Sequence, residues 1–200
     1  MTERTIAVVS AGLTTPSSTR LLADRLSAAV RDQLDGRGTT YKLEIIELRD
    51  LAHDLTNNLL TGFPSQELGK VLETVVAADG LIAVTPTFSA SYSGLFKMFF
   101  DVLNDQALAG KPVLIAATGG TERHSLVLDF ALRPLFSYLK AIVMPTGVYA
   151  ASSDWGTGAT QLHTRIERAA AELVDAMGNE KRATVDPFAN PTSFEDLLNS

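Results

Sequence analysis

From Val9 to Arg20 the chain reads Val9-Ser10-Ala11-Gly12-Leu13-Thr14-Thr15-Pro16-Ser17-Ser18-Thr19-Arg20, a hydroxyl-rich connection between an apolar run and the start of a helical pattern. A helix N-terminus presents four unpaired N–H groups and about half a positive charge, so an anion such as a phosphate settles there readily. The first turn, Ser18 to Leu22, holds no carboxylate of its own, whereas the later Pro64-Ser65-Gln66-Glu67 places an acid in its opening turn, as exposed helices prefer. Taken alone, the loop is explained equally well by Ser17 or Ser18 acting as an N-cap, with Pro16 shaping the turn.

Two other segments have unusual chemistry. Thr85-Pro86-Thr87-Phe88-Ser89-Ala90-Ser91-Tyr92-Ser93-Gly94 sets two aromatics among small polar residues, a composition that can flank a planar ring while backbone amides meet its edge. Ala117-Thr118-Gly119-Gly120-Thr121 carries adjacent glycines, which let backbone approach a ligand closely. Singly, the glycine pair fits a plain turn and the aromatics fit ordinary packing. Together, one phosphate pocket and two ring-edge loops describe a mononucleotide site, provided the fold brings them to one rim.

The elements that must do so follow from hydrophobic patterning. Candidate strands are Ile6 to Ser10, Leu43 to Ile46, Leu81 to Thr85, Val113 to Ala117, and Ile142 to Met144 extending toward Tyr149. Several are nearly unbroken Val, Ile, Leu and Ala, the mark of a parallel sheet covered on both faces. Between them lie Leu22, Leu26, Ala29, Val30 and Leu34 at helical spacing, then Leu68 to Ala78, Leu95 to Leu103, Ser125 to Leu139 and Thr160 to Met177. Right-handed crossovers turn five such β-α units into a doubly wound α/β sheet, whose ligands sit outside the C-terminal strand ends. The loops after strands one, three and four are the three just described.

Composition excludes other classes. With 200 residues, 46% hydrophobic and 20% charged, the chain suits one globular domain. A net charge of -6 without a basic stripe argues against nucleic-acid binding, which needs Lys and Arg to neutralise phosphates. The absence of cysteine removes disulfides, thiolate metal sites and thiol catalysis. His53, His124 and His163 lack metal-ligand spacing, so no metal is expected. No apolar segment approaches the ~20 residues that span a bilayer, and Met1-Thr2-Glu3-Arg4 lacks the pattern of a signal peptide, so a cytoplasmic location is expected. Residues 1–182 are expected to form the domain and 183–200 a C-terminal arm, marked by Pro187, Phe188, Pro191 and Phe194.

On the residues Pro16 to Arg20, Thr85 to Lys97 and Ala117 to Gly120, the chain resembles the NADPH-dependent FMN reductases, in particular those partnered with luciferase-like monooxygenases, over about Thr5 to Ala150. The resemblance implies a flavodoxin-like three-layer sandwich with a five-stranded parallel sheet in the order 2-1-3-4-5. It implies that Ser10, Ser17, Ser18 and Thr19 hold the FMN phosphate, that Pro86, Thr87, Phe88, Ser89, Ala90 and Ser91 line the ring with Tyr92 alongside, and that Thr118, Gly119 and Gly120 face its pyrimidine end. Many relatives carry an arginine between the serine positions of the phosphate loop, whereas here Arg20 follows Thr19. Hydroxyls and amides, rather than that arginine, are therefore expected to meet the phosphate. No acid-base residue is required for the implied chemistry, a hydride passing from nicotinamide to flavin, for which the protein supplies alignment.

FMN is expected over FAD because no G-x-G-x-x-G fingerprint is present. The donor is NADPH or NADH, since neither an acidic ribose-binding residue nor a basic 2′-phosphate cluster is legible; Arg123 is a candidate for that phosphate. His124 is read as exposed and without a role, and Asp101 as a hydrogen-bonded structural acid rather than a general base. Trp155, after strand five, is a candidate for a wall or an interface. Leu95 to Phe100 and Leu126 to Leu132 are apolar nearly all round, which predicts a homodimer or tetramer with flavin near the interface. Alternative readings on the same scaffold are a quinone or azo reductase with bound FMN, and a flavodoxin-like electron carrier. The carrier reading fits less well, because Pro86 to Gly94 has neither the acids nor the tryptophan that surround a carrier's ring.

Overall fold

Alternation along the strands explains the layers. In a computed structural model that describes residues 3–156 and 158–178, Ile6 and Val8 face one core with Ile82, Val84, Leu114 and Ala116, while Ala7 and Val9 face the other with Leu81, Ala83, Val113 and Ile115. Both faces are therefore apolar, and the strands read as continuous hydrophobic runs. The parallel strands are β1 (Arg4–Ser10), β2 (Tyr41–Glu47), β3 (Gly80–Phe88) and β5 (Pro112–Gly119), ordered β2-β1-β3-β5. Each runs a residue or more beyond its predicted bounds. The expected 183–200 arm lies outside the described residues.

The fifth sheet position is shared by β6 (Ile142–Val143) and β7 (Val148–Ala151), both parallel to β5. A single strand reaching Tyr149 is interrupted at Pro145, which has no N–H for the ladder. Glu172 repairs the gap by accepting from both the amide and the hydroxyl of Thr146, each at 2.7 Å. The expected order 2-1-3-4-5 thus holds, with the last position split. One further short strand, β4 (Ser91–Tyr92), folds back antiparallel on the end of β3.

One face carries α1 (Ser18–Gly36) and α6 (Ala159–Met177). The other carries α2 (Ala52–Thr61), α3 (Gln66–Ala77), α4 (Gly94–Asp101) and α5 (Arg133–Tyr138). The sequence reading has no helix at α2, a ten-residue helix that buries only Leu55 and Asn58. The helix expected over Ser125 to Leu139 is instead a wide π turn (Leu128–Leu132) followed by α5, with a 3-10 turn (Glu122–His124) ahead of it. Pro134 cannot donate to the carbonyl of Phe130 and crowds it, and ahead of it the Arg133 amide reaches back five residues to Leu128 O.

The apolar excess of α4 is used inside the chain. Phe96, Phe99 and Phe100 are buried, and Phe100 meets Phe96 and Phe136 with ring centroids 4.7 and 4.9 Å apart. Leu126 and Phe130, by contrast, are exposed. At the far end of the sheet from the three loops, Arg4 and Asp79 form a buried ion pair at 3.0 Å. Among the described residues no helix is long and apolar enough to cross a membrane.

Candidate functional site

Register places the three loops side by side. Ser10 of β1 pairs with Val84 of β3, and Pro86 of β3 with Thr118 of β5, so neighbouring strands release their chains at one rim. Strands lie about 4.8 Å apart, so the first and third loops leave the sheet only about 10 Å from one another.

In the first loop, Ser10 is wholly buried and its hydroxyl has no hydrogen-bond partner. Ser17 is the N-cap of α1, its Oγ accepting from the Arg20 amide at 3.2 Å. That settles one orphan donor of the helix start and leaves the others of the first turn, in which no acid stands. A Cβ on Gly12 would run into the Ser17 hydroxyl, so glycine is what lets the loop close over its own cap. Ser18 is exposed. Arg20 turns away, held by Asp24 at 2.8 Å and by Glu47, and these carboxylates, chiefly through the hydrogen bond that Arg20 donates to Asp24, raise its pKa above the usual value. Arg49, on the same flank, is taken up by Thr15, Glu47 and Asp50. Neither guanidinium stands ready for a phosphate at the helix start.

Thr19 and Thr118 meet. Their hydroxyls lie 2.8 Å apart in a buried hydrogen bond that ties the first loop to the third. Only one proton is used between them, so the accepting hydroxyl keeps a donor for a further partner.

The second loop is a β-hairpin rather than an open turn. Thr87 pairs with Tyr92 and Phe88 with Ser91, and the two residues between, Ser89 and Ala90, both have positive φ, 48° and 66°. Two-residue hairpins favour that geometry, at a cost when neither residue is glycine. Behind the tip, Thr85 Oγ1 accepts from the Ser93 amide at 3.0 Å, and Ser93 caps α4 through the Phe96 amide at 3.2 Å. The loop is thereby pinned at both ends, while Phe88, Ser89 and Ala90 stay exposed at the rim. Pro86 is buried, Ser91 and Tyr92 partly so, and the Thr87 hydroxyl is buried without a hydrogen-bond partner.

The third loop rests on Tyr149, which the sequence reading placed only at a strand end. Its hydroxyl donates to Thr121 O at 2.8 Å, and a Cβ on Gly119 would collide with it. Burial pushes the phenol's pKa above its ordinary value, and the nearby Thr87 hydroxyl opposes that shift without reaching good hydrogen-bond geometry. Nothing local in the sequence marks Tyr149, because its partners are 28 and 30 residues away. Gly120 is exposed beside it.

The remaining candidates sort by contact. His124 and Arg123 are exposed in the 3-10 turn that follows the third loop. Asp101 is exposed and paired with Lys97 one turn back, a surface pair rather than a buried acid. Trp155 lies under Arg25, whose guanidinium carbon is 4.9 Å from the ring centre. Among the described residues no group of three His, Asp or Glu could hold a metal.

A family model described as NADPH-dependent FMN reductase matches residues 4–156. The chain belongs to the NADPH-dependent FMN reductase family. Within it, the chain is 43% identical over 150 residues to an FMN reductase (NADPH) of Pseudomonas aeruginosa, covering 75% of this chain and 78% of that one. It is 37% identical over 176 residues to the NADH-dependent FMN reductase SfnE of Pseudomonas putida, covering 86% and 92%. An X-ray structure of an oxidoreductase from Corynebacterium diphtheriae superposes with a TM-score of 0.86 at 50% identity, covering 89% of this chain and 98% of that one. The match of family and fold accords with the flavodoxin-like architecture that the resemblance implied.

Proposed function

We propose that this FMN reductase family member transfers hydride from a reduced nicotinamide to FMN seated on the three-loop rim, and that reduced flavin then serves a separate monooxygenase. The observation that carries the reading is the pair of buried hydroxyls, Ser10 Oγ and Thr87 Oγ1, left without partners on adjoining loops of that rim. Buried polar groups are nearly always satisfied, so unpartnered ones on a rim are suited to a polar ligand.

Ser10, Ser17, Ser18 and Thr19 would hold the phosphate, with first-turn amides of α1 as donors. Pro86, Thr87, Phe88, Ser89, Ala90, Ser91 and Tyr92 would line the ring, and Thr118, Gly119 and Gly120 would meet its polar end. When bound, FMN supplies the acceptor for the hydride. The protein's part is positioning: the hairpin is held by Thr85 and Ser93, and the glycine turn by Tyr149. Fixed N–H dipoles at the glycine turn favour negative charge on whatever lies against them. Exposure of Phe88 to Ala90 leaves the ring site open to exchange with solvent, which suits a flavin that is released after reduction.

Self-association is part of the proposal. Leu126 and Phe130, on the segment whose all-round apolar character predicts a partner, are 61% and 79% exposed, which supports burial against another copy. Steady-state oxidation of NADPH and NADH, with FMN, riboflavin and menadione offered in turn, tests the activity. Acceleration by FMN is expected; acceleration by menadione alone would transfer the assignment to a quinone reductase. Light scattering that gives a 21.4 kDa particle at micromolar concentration would remove the oligomer.

A further inference from the structure

The flank of the phosphate loop holds two cations that the loop itself does not use. A cleft of about 240 Å³ opens there, bordered by Thr15, Pro16 and Ser17 of the loop and by Arg20, Glu47 and Arg49. We infer that Glu47 is a positioning residue that holds both arginines off the FMN phosphate and so keeps the flavin exchangeable. The inference rests on the reading that the phosphate sits at the start of α1, and adds what limits its grip.

Register is the first argument. Glu47 ends β2 directly opposite Ser10, the residue with which β1 enters the phosphate loop. Arg20 stands in the first turn of α1, and Arg49 in the 3-10 turn Leu48–Leu51 that follows β2. One carboxylate therefore takes two guanidinium groups that reach it from different elements: Oε1 pairs with Arg20, and Oε2 lies 3.4 Å from Arg49 Nε. Arg49 also donates to the Thr15 hydroxyl, inside the loop itself.

Bonding capacity is the second. A guanidinium carries five N–H donors. Arg49 Nε is buried without a hydrogen-bond partner, although Glu47 and Asp50 each lie 3.4 Å away. Charge rather than a formed bond holds that donor in place. Arg20 is paired with Asp24 as well, at 2.8 Å, but the side chains of Asp24 and Asp50 are 46% and 68% exposed against 22% for Glu47. Solvent screens the two outer pairs, which leaves Glu47 as the shared and best-shielded partner.

Competition is the third. A guanidinium grips a phosphate through charge-assisted parallel bonds. Here an arginine that turns to the phosphate must leave Glu47, and the carboxylate it leaves behind then faces the incoming anion. The gain of one pair is offset by the loss of another. Asp24, Glu47 and Asp50 together outnumber Arg20 and Arg49, so the flank as a whole does not attract a phosphate dianion. A weak hold of this kind suits a flavin that leaves after reduction.

Fluorescence titration of the whole chain with FMN and with riboflavin, at low and at high salt, tests this without turnover. In Glu47→Gln the FMN affinity is expected to rise about tenfold, the size of one released charge-assisted contact, while riboflavin affinity stays unchanged. The gain should shrink at high salt, and stopped-flow dissociation of FMN should slow in step with it. Glu47→Asp keeps the charge and should stay near the wild type. Glu47→Gln/Arg20→Gln/Arg49→Gln lacks the released cations and should lose the gain. Thermal melting shows that each variant is folded. An FMN affinity that is unchanged or lower in Glu47→Gln overturns the assignment, as does an equal change for both flavins, the mark of a plain tie between β2 and α1. A gain that survives in the triple variant also overturns it, because removal of a repelling charge would then be the whole effect. A wild type that binds FMN no more tightly than riboflavin would instead take the phosphate away from the loop and remove the underlying reading, so the two failures are distinguishable.

Discussion

At Ser18 a single hydroxyl stands exposed in an acid-free first helical turn. Ser18→Asp places a carboxylate where the proposed phosphate approaches, and like charges in that position repel. FMN affinity should fall by about tenfold or more while riboflavin, which lacks the phosphate, is affected far less; equal losses, read by flavin fluorescence, would detach the loop from the phosphate. Gly119 carries a different constraint, because its missing Cβ is what admits the Tyr149 hydroxyl. Gly119→Ala should cost roughly 1–3 kcal/mol in urea denaturation, the usual size of overpacking, and weaken FMN binding. Adding Tyr149→Phe removes the atom that the new methyl meets, so the double variant should regain part of the loss. Additive losses would show that the two residues do not oppose one another.

Among the elements, the β3–β4 hairpin is the one whose sequence and conformation disagree. Ser89 and Ala90 occupy positive φ without being glycine or asparagine, a strain of the kind that persists where surrounding structure over-determines it. Pairing of Phe88 with Ser91 and the Thr85–Ser93 bond supply that constraint. Ala90→Gly should therefore raise stability by about 1 kcal/mol in thermal or urea unfolding, since αL costs an ordinary residue about that much. A decrease would mean that the methyl of Ala90 packs usefully. The helical segment 125–139 shows the reverse case: its periodicity is legible, but Pro134 divides it into π and α parts, and periodicity alone does not reveal which bonds a proline removes.

Across the whole molecule, the rim at one end of the sheet is balanced by a polar lock at the other. Arg4, 4% exposed, gives one bond to Asp79 and another, at 2.9 Å, to Gly178 O at the end of α6, and Asp79 also accepts from the Thr5 amide. Asp79→Ala leaves a buried guanidinium without its counter-charge and should cost about 3–5 kcal/mol, with urea midpoints as the measure. The loss should occur without change in FMN affinity per folded molecule, because the lock sits at the opposite ends of the strands from the loops. A midpoint unmoved by the substitution would show that water reaches Arg4 and takes over the role of Asp79. The same scale explains α4: its apolar residues could face a partner or the chain's own α5, and the packing of Phe96 and Phe100 on Phe136 shows that most of them are consumed internally.

The sequence by itself determined the class of fold and the three loops that matter, because period-two burial on two faces and the hydroxyl, aromatic and glycine compositions are local properties. The acid-free start of α1 was legible there too, with its cap narrowed to Ser17 or Ser18, and the fold chose Ser17. Tertiary structure alone decided which atoms of those loops meet. Thr19 finds Thr118 across 99 residues, Tyr149 sets the glycine turn, and Arg20 is drawn off by Glu47. Such pairings depend on strand order and register, and a chain read in one dimension carries no measure of the distance between residues that only folding makes neighbours.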